Sequence, residues 1–535
     1  MGRAARAHQS ARSGDAGNQS GNPIGGRMSV SFSTIPPDLK IPLFYAEFDN
    51  SQAGVNQANQ RALILGQALG AGGGTPAPVW VASPADAASE FGAASQLAAE
   101  VAAYRANDPA TELWTMPYAD AAASVAASGS VTFAGTTTAP GVIPLRVGGV
   151  LVAAAVAAGD TAAAAAAKAL AAMQGTPSLP VNPTGSTATL TLTARNKGTL
   201  GNSIPISLAY YGARGGEAMP PGLTCTITPM SGGAGDPDLS GLAAAIAAME
   251  FDFIVSPWTS GAELAATTAM MNDQAGRWSY KAARYGHVFS AKQDTAANLL
   301  TFGSGLNDPH LSVLGTYGSP TPDYVWAAAF AGAAAPPIKA DPARPLQTIP
   351  ILGVLAPPER LLFPWDNNQA LLSNGIALPA IGQDGSVSIM RCVTTYQVNR
   401  YGVADQSYLD YETLATLAEI TRRLKAATTQ KYPRAKLADD GTRFGPGQPV
   451  VTPAIYRAEI ISQYRQMEFD GLVEDADAMA KATIVERDAQ NPSRLNVLWA
   501  PYLVSGLRIV ALLNQFRLLS AEANAAALAP ATFAA

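Results

Sequence analysis

Apolar positions along this chain fall into distinct textures. Short continuous runs occur at Arg61–Gly66 (RALILG), Phe251–Val255, His287–Ser290 and Leu311–Leu314. A short run that is apolar at both alternate positions predicts a strand covered on both faces. A further strand is expected at Glu112–Met116. Alanine-rich stretches separate these runs: Asp86 to Ala106, Leu239–Met249, Ala262–Gly276 and Tyr324–Ala334. Alanine has the highest helix propensity, so helices are expected there. Helices alternating with short buried strands predict crossover connections and a partly parallel sheet.

Between Val125 and Gly235 the texture changes. Thr189, Thr191 and Thr193 alternate with Leu190, Leu192 and Ala194, and Thr224, Thr226 and Thr228 alternate with Leu223, Cys225 and Ile227. Ile204, Ile206 and Leu208 alternate as well, after a turn at Asn196-Lys197-Gly198. Period 2 with one polar face marks antiparallel strands. One helix, capped at Asp160-Thr161 and running to about Met173, interrupts them. This stretch reads as a β-rich domain inserted into an α/β chain.

Further on, Pro336–Pro358 reads as a loop region and Ser386–Tyr396 as a strand. A capping-box match at Ser407-Tyr408-Leu409-Asp410 predicts a helix start. That helix places Leu414, Leu417, Ile420 and Leu424 on one face and Arg422, Arg423 and Lys425 near its last turns. A second helix is expected from Thr452-Pro453, burying Tyr456, Ile460, Tyr464 and Met467 and ending near Gly471. After Asn491-Pro492 comes a last apolar run, Leu507 to Leu518. Leu507, Ile509 and Leu513 fall on one face, and Val510, Leu512, Phe516 and Leu518 on the other. A strand apolar on both faces so near the end of the sequence must insert into a sheet, its own or a neighbour's.

With 535 residues the chain has room for roughly three or four domains. Only 14% of residues are charged, against about a quarter in an ordinary soluble domain, which suits a surface covered by other copies of the chain. The net charge of −5 argues against a nucleic-acid partner. The basic set Arg422, Arg423, Lys425, Lys431, Arg434 and Lys436 around Tyr432 therefore reads as a solvated helix end. No stretch carries the ~20 strongly apolar residues of a membrane span, so no membrane insertion is expected. Cys225 and Cys392 form no disulfide framework or zinc pattern and read as two buried thiols in a reducing compartment. Residues 1–27 are polar and rich in Gly, Ser and Arg, the composition of a disordered extension.

Chemistry is sparse. The three histidines, His8, His287 and His310, are scattered, and His287 reads as a satisfied core or interface residue. Ser304 lacks the flanking pattern of a nucleophile elbow. The glycines of Gly70 to Thr75 follow a strand, but no Gly-Lys-Ser/Thr completes a phosphate loop. The acidic run Glu468, Asp470, Glu474, Asp475 and Asp477 lacks the order of a calcium loop. No catalytic residue, cofactor or metal ligand is assigned. An α/β hydrolase and a non-contractile structural or adhesion protein remain as rival classes.

Three stretches carry a family resemblance: FYAEFDNSQAG (Phe44–Gly54), MRCVTTYQVNRYGVADQSYLDYETL (Met390–Leu414) and NPSRLNVLWAPYLVSGLRIVALLNQFRL (Asn491–Leu518). They resemble the Mu-like contractile phage tail sheath protein, over Met28 to about Leu519. The resemblance implies a structural, non-enzymatic subunit, stacked in six-fold rings around a tail tube and contracting to drive it through a cell envelope. It implies as partners other copies of itself, the tube protein, and baseplate and tail terminator proteins. It also implies a virion location after assembly in the host cytoplasm. A bacteriocin-like or secretion-related contractile particle stays open. Arms at both ends would each add a strand to sheets of adjacent subunits. The N-terminal one would carry Val30, Phe32 and Ile35; the C-terminal one Leu507, Arg508, Ile509, Val510, Leu512, Leu513 and Phe516. Asp475 and Asp477 are candidates to pair with Arg494, Arg508 and Arg517 of a neighbour.

The expected architecture is an α/β (α+β) multidomain protein. A mixed-sheet core is built from both ends of the chain and carries an inserted antiparallel β-rich domain and extended arms. The expected boundaries are 1–27 extension, 28–124 N-terminal arm and first core part, 125–235 insert, 236–385 α/β middle domain, 386–519 C-terminal core with its arm, and 520–535 alanine-rich tail.

Overall fold

The computed structural model describes residues 60–70, 76–185 and 187–516. The first run is strand β1 (Arg61–Gln67), buried at Ala62, Leu63, Ile64 and Leu65. A short strand β2 (Val79–Trp80) leads to helices α1 (Pro84–Phe91) and α2 (Gln96–Asn107), then to β3 (Glu112–Tyr118). The alanine-rich stretch from Asp86 to Ala106 is thus helical, in two segments. Ser83 caps the first in a complete capping box with Asp86, and Ser95 caps the second.

The next strands make two separate antiparallel sheets. They are β4 (Ser128–Gly135), β5 (Gly141–Val147), β6 (Val150–Val156), β7 (Val181–Gly185), β8 (Thr189–Ala194), β9 (Ile206–Leu208) and β10 (Leu223–Ser231). One sheet has the order β10-β4-β8-β7 and the other β6-β5-β9. Helix α3 (Ala162–Gln174), capped by Thr161, lays Ala165, Ala166, Ala169 and Met173 into the core they share. The threonines of β8 and β10 face outward, as the alternation requires: Leu190 and Leu192 are buried while Thr191, Thr224, Thr226 and Thr228 are exposed. Cys225 is only half-buried, not buried as expected, while Cys392 is buried; both are free thiols.

The chain then returns to the large sheet. After the single turn α4 (Leu242–Ala245) come β11 (Phe253–Val255), α5 (Gly261–Met271), β12 (His287–Gln293), α6 (Ala296–Ser304) and β13 (Leu311–Thr316). They are followed by α7 (Asp323–Ala340), α8 (Trp365–Ser373), β14 (Ile376–Ile381) and β15 (Val387–Arg391). The sheet order is β15-β14-β13-β12-β11-β1-β3-β2. Every pairing from β14 to β3 is parallel, and β15 and β2 close the two edges antiparallel. Residues 348–351 cover the outer edge of β15: Thr348 N–H donates to Ile389 O at 2.8 Å and Ile351 N–H to Val387 O at 2.9 Å.

Two expectations fail here. The helix expected over Leu239–Met249 is one turn, and beyond it the carbonyls of Ile246 and Met249 accept from the buried guanidinium of Arg277 at 3.3 and 3.0 Å. Helix α7 does not stop before Pro336-Pro337 but runs through them to Ala340. It is buried along nearly its whole length, so tertiary packing outweighs the two lost N–H donors in its last turns. Gly332 lets it approach α2: a Cβ there would lie 2.7 Å from Tyr104 O.

The last region is α9 (Tyr411–Lys431), the short strands β16 (Lys436–Leu437) and β17 (Val450–Val451), α10 (Pro453–Phe469), β18 (Val473–Glu474), α11 (Ala476–Ala482) and β19–β21 (Ile484–Arg487, Leu495–Leu498, Tyr502–Leu503). Thr452 caps α10 as expected, its Oγ1 accepting from Ile455 N. Tyr456 is half-buried, whereas Ile460, Tyr464 and Met467 are core. The capping box expected at Ser407–Asp410 does not form. Helix α9 starts at Tyr411, Ser407 Oγ bonds Asp405, and the Asp410 carboxylate is taken by Arg391. Because α9 runs on to Lys431, Arg422 and Arg423 sit mid-helix rather than in its last turns.

Candidate assembly interface

In an open α/β sheet the usual ligand crevice lies beyond the carboxyl ends of the strands, where the strand order reverses. Here that point is beside β1, between β3 and β11, and the chain fills it itself. Gln67 Nε2 donates to Asp120 Oδ1 at 2.9 Å and to Lys197 O at 2.8 Å. Asn196 Oδ1 accepts from Gln96 N at 3.1 Å. Trp258, fully buried, packs edge-on against Tyr118 with ring centroids 5.9 Å apart. A cavity of about 250 Å³ opens near the ends of β13 and β14, lined by residues such as Phe363, Leu378, Ile381 and Met390. Its lining holds no carboxylate, histidine, cysteine or lysine.

His287 Nε2 lies 2.8 Å from Ser312 Oγ, with Cys392 Sγ 3.7 Å from the same oxygen. All three residues are buried, and burial, followed by the nearby His310, holds the His287 imidazole well below its ordinary pKa. This is a core histidine, bonded through Nε2 while its buried Nδ1 has no partner. His310 stacks on Trp278 and pairs with Asp273 at 2.7 Å. Ser304 Oγ donates to Thr301 O at the end of α6. Among the described residues no group of three His, Cys, Asp or Glu could hold a metal ion, and no helix is long and apolar enough to cross a membrane.

The basic and acidic sequence features are used locally. Arg422 pairs with Asp252, and Arg423 with Glu419 at 2.8 Å and with Asp470. Lys431 pairs with Glu459 at 2.6 Å. Glu468 Oε1 accepts from Ala476 N at 2.9 Å, and Asp475 caps α11 by accepting from Ala478 N at 3.0 Å. Asp477 is exposed and 3.7 Å from Arg465, and Arg494 is 4.0 Å from Asp488.

The C-terminal stretch is different in kind. No strand is assigned over 504–516. Leu507, Ile509, Val510, Leu512, Leu513 and Phe516 are each 72–84% exposed. A run of large apolar side chains left this open lacks the cover that a strand apolar on both faces requires. The exception is Arg508. It was expected to face a neighbour, but its side chain is 15% exposed and its Nη2 lies 3.3 Å from Asp410 Oδ1 and 3.0 Å from Glu412 Oε2 of its own chain. Burial beside two carboxylates accounts for this, a partnership between distant segments that local pattern could not reveal. Val30, Phe32, Ile35 and Arg517 lie outside the described residues.

A second open element adjoins it. The hairpin β19–β20 is a two-stranded sheet, Ile484 opposite Leu498 and Arg487 opposite Leu495. Among the described residues neither outer edge is paired, and Ile484 and Leu498 are more than half exposed.

Residues 232–395 match the model of the phage tail sheath protein central domain, and residues 403–517 that of the phage tail sheath C-terminal domain. The chain is 38% identical over 492 residues to the Mu-like prophage FluMu tail sheath protein of Haemophilus influenzae, covering 91% of this chain and 100% of that one. Among solved structures it is similar to the sheath tail protein of Desulfitobacterium hafniense, at 12% identity and a TM-score of 0.44 over 87% of this chain and 97% of that one. It is also similar to the sheath complex of an extracellular contractile injection system, PVC, in the contracted state, at 9% identity and a TM-score of 0.47 over 90% and 98%. Identity of this extent over nearly the whole length places the chain in the Mu-like phage tail sheath family.

Proposed function

We propose that copies of this contractile tail sheath subunit are knitted into stacked rings by their own terminal segments. The single observation that carries this is the uncovered apolar run from Leu507 to Phe516. In the assembled sheath it adds as a strand to a sheet of an adjacent copy, and the open edges of β19–β20 are the acceptor. Strand addition gives affinity through main-chain bonds and specificity through alternate side chains. The N-terminal arm with Val30, Phe32 and Ile35 does the same from the other end. Such links hold neighbours together while the bodies of the subunits rotate, so contraction shortens the sheath without dissolving it.

The subunit is a structural part of the virion and performs no chemistry of its own. It surrounds the tail tube, ends at baseplate and terminator proteins, and assembles in the host cytoplasm before the contracting sheath drives the tube through the envelope.

The test is negative-stain microscopy of the chain from Met28 beside the same chain ending before Ser505. Tubes or stacked rings from the first and none from the second are expected. Monodisperse particles from both would remove the strand-exchange reading.

A further inference from the structure

The C-terminal segment is fixed to its own subunit in a graded way, and the last fixed point is a charged side chain. Strand β21 pairs with β18, Glu474 opposite Tyr502. The buried Tyr464 clamps this pair, its hydroxyl donating to Glu474 O at 2.7 Å and accepting from Tyr502 N at 2.9 Å. Gly506 passes so close to Pro345 that a Cβ would lie 2.5 Å from its ring. Leu507 O accepts from Gln347 Nε2 at 3.3 Å, while the Leu507 side chain is already 72% exposed. Arg508 then turns inward to Asp410 and Glu412, and from Ile509 to Phe516 every side chain is exposed.

Those two carboxylates are themselves fixed. Glu412, 95% buried by residue surface, accepts from Leu346 N through Oε1. Asp410 receives both Nε and Nη2 of Arg391, the last residue of β15, at 2.8 and 2.9 Å. Arg508 is therefore joined to the first turn of α9 and, through Asp410, to the edge of the large sheet. The pairing covers none of the apolar side chains beyond it. Its effect is to set where, and in which direction, the free segment leaves the body.

We propose that Arg508, held by Asp410 and Glu412, is the positioning residue of the C-terminal arm. It is the pivot that aims residues 509–516 at the neighbouring copy. The inference rests on the reading that this segment inserts into an adjacent subunit. Segments already fixed before docking lose less freedom on binding, which raises affinity without any new contact. Releasing residues 505–508 adds their ordering cost to every docking event, about tenfold or more in the concentration needed for assembly. A lysine keeps the positive charge but not the planar guanidinium whose Nη2 meets both carboxylates, so it replaces the arginine only in part.

The experiment uses the full chain with Cys225→Ser and spin labels at Ala511→Cys and Lys425→Cys, unassembled, to measure the distance distribution between arm and α9. Arg508→Met alone leaves the buried Glu412 unpaired and can unfold its surroundings. The variant to read is therefore Arg508→Met with Glu412→Gln, in which no charge is stranded. A narrow distribution in the parent, a broad one in the double variant, and at least a tenfold rise in critical assembly concentration at unchanged melting temperature are expected, with Arg508→Lys in between. Identical distributions, or a broadened one with unchanged assembly, overturn the pivot. A chain ending at Val504 separates the two ideas. If it assembles like the parent, strand insertion itself is wrong. If it fails while the double variant assembles normally, only the pivot is wrong.

Discussion

Replacing Leu513 by alanine isolates the apolar contribution of the arm to assembly. Leu513 is 82% exposed in the single subunit, so the substitution leaves the isolated fold unchanged, within the ~0.5 kcal/mol typical of surface positions. If a neighbour covers this side chain, three carbons lose burial at about 0.8 kcal/mol each. Scaled by the exposed fraction, the loss is about 2 kcal/mol per docked arm. Each subunit donates one C-terminal arm, and about 1.4 kcal/mol corresponds to tenfold in an equilibrium constant, so the critical concentration for tube formation rises about thirtyfold. Any cavity left in the acceptor adds to this. The assay is sedimentation of assembled material across a concentration series, with melting of the unassembled chain as control. A critical concentration within twofold of the parent, at equal melting temperature, would falsify burial of Leu513 in the assembled state.

Three other outcomes follow from the same structure. Glu100 is fully buried with neither carboxylate oxygen hydrogen-bonded, and burial pushes its pKa well above the ordinary range. The folded state therefore holds this proton more tightly than the unfolded chain, so stability is greatest below the unfolded value near 4.3 and falls as pH rises, by up to about 1.4 kcal/mol per unit; Glu100→Gln should match the parent near pH 4 and exceed it at pH 8 in urea unfolding. Gly332→Ala gains about 1 kcal/mol of helix propensity but drives a methyl against Tyr104 O; overpacking of this kind costs about 1–3 kcal/mol, so a lower urea midpoint is expected and a higher one refutes close packing of α7 on α2. Because the arm is apolar and exposed ion pairs are worth about 0–1 kcal/mol, tube assembly should be strengthened by sulfate and little affected by sodium chloride; dissolution of tubes in moderate sodium chloride would return the holding force to charges.

What was legible in the sequence was whatever is encoded within a few residues. The Leu63-Ile64-Leu65 run could only be a strand covered on both faces, and it sits in the interior of the large sheet. Thr452-Pro453 starts a helix because the cap and the fixed proline φ act on the same turn. The threonine alternation of β8 and β10 marks antiparallel strands for the same reason of locality, and in the structure both pair antiparallel with β4. Errors arose where a distant partner claimed a group that local pattern had already assigned. Arg391 takes the Asp410 carboxylate at the start of α9.

The consequential placement is that of Arg508. The sequence offers it, with Arg494 and Arg517, as a partner for Asp475 and Asp477 of a neighbour. The structure instead places it against Asp410 and Glu412 of the same chain. Asp475 is likewise engaged within the single subunit, as a helix cap. Among the described residues at this end of the molecule, large apolar side chains and unpaired main chain stay uncovered. Both are satisfied by strand addition, and neither depends on a particular charged residue meeting its partner. A link built this way tolerates rotation of the joined bodies, because backbone pairing and burial are retained as long as the strand stays in place.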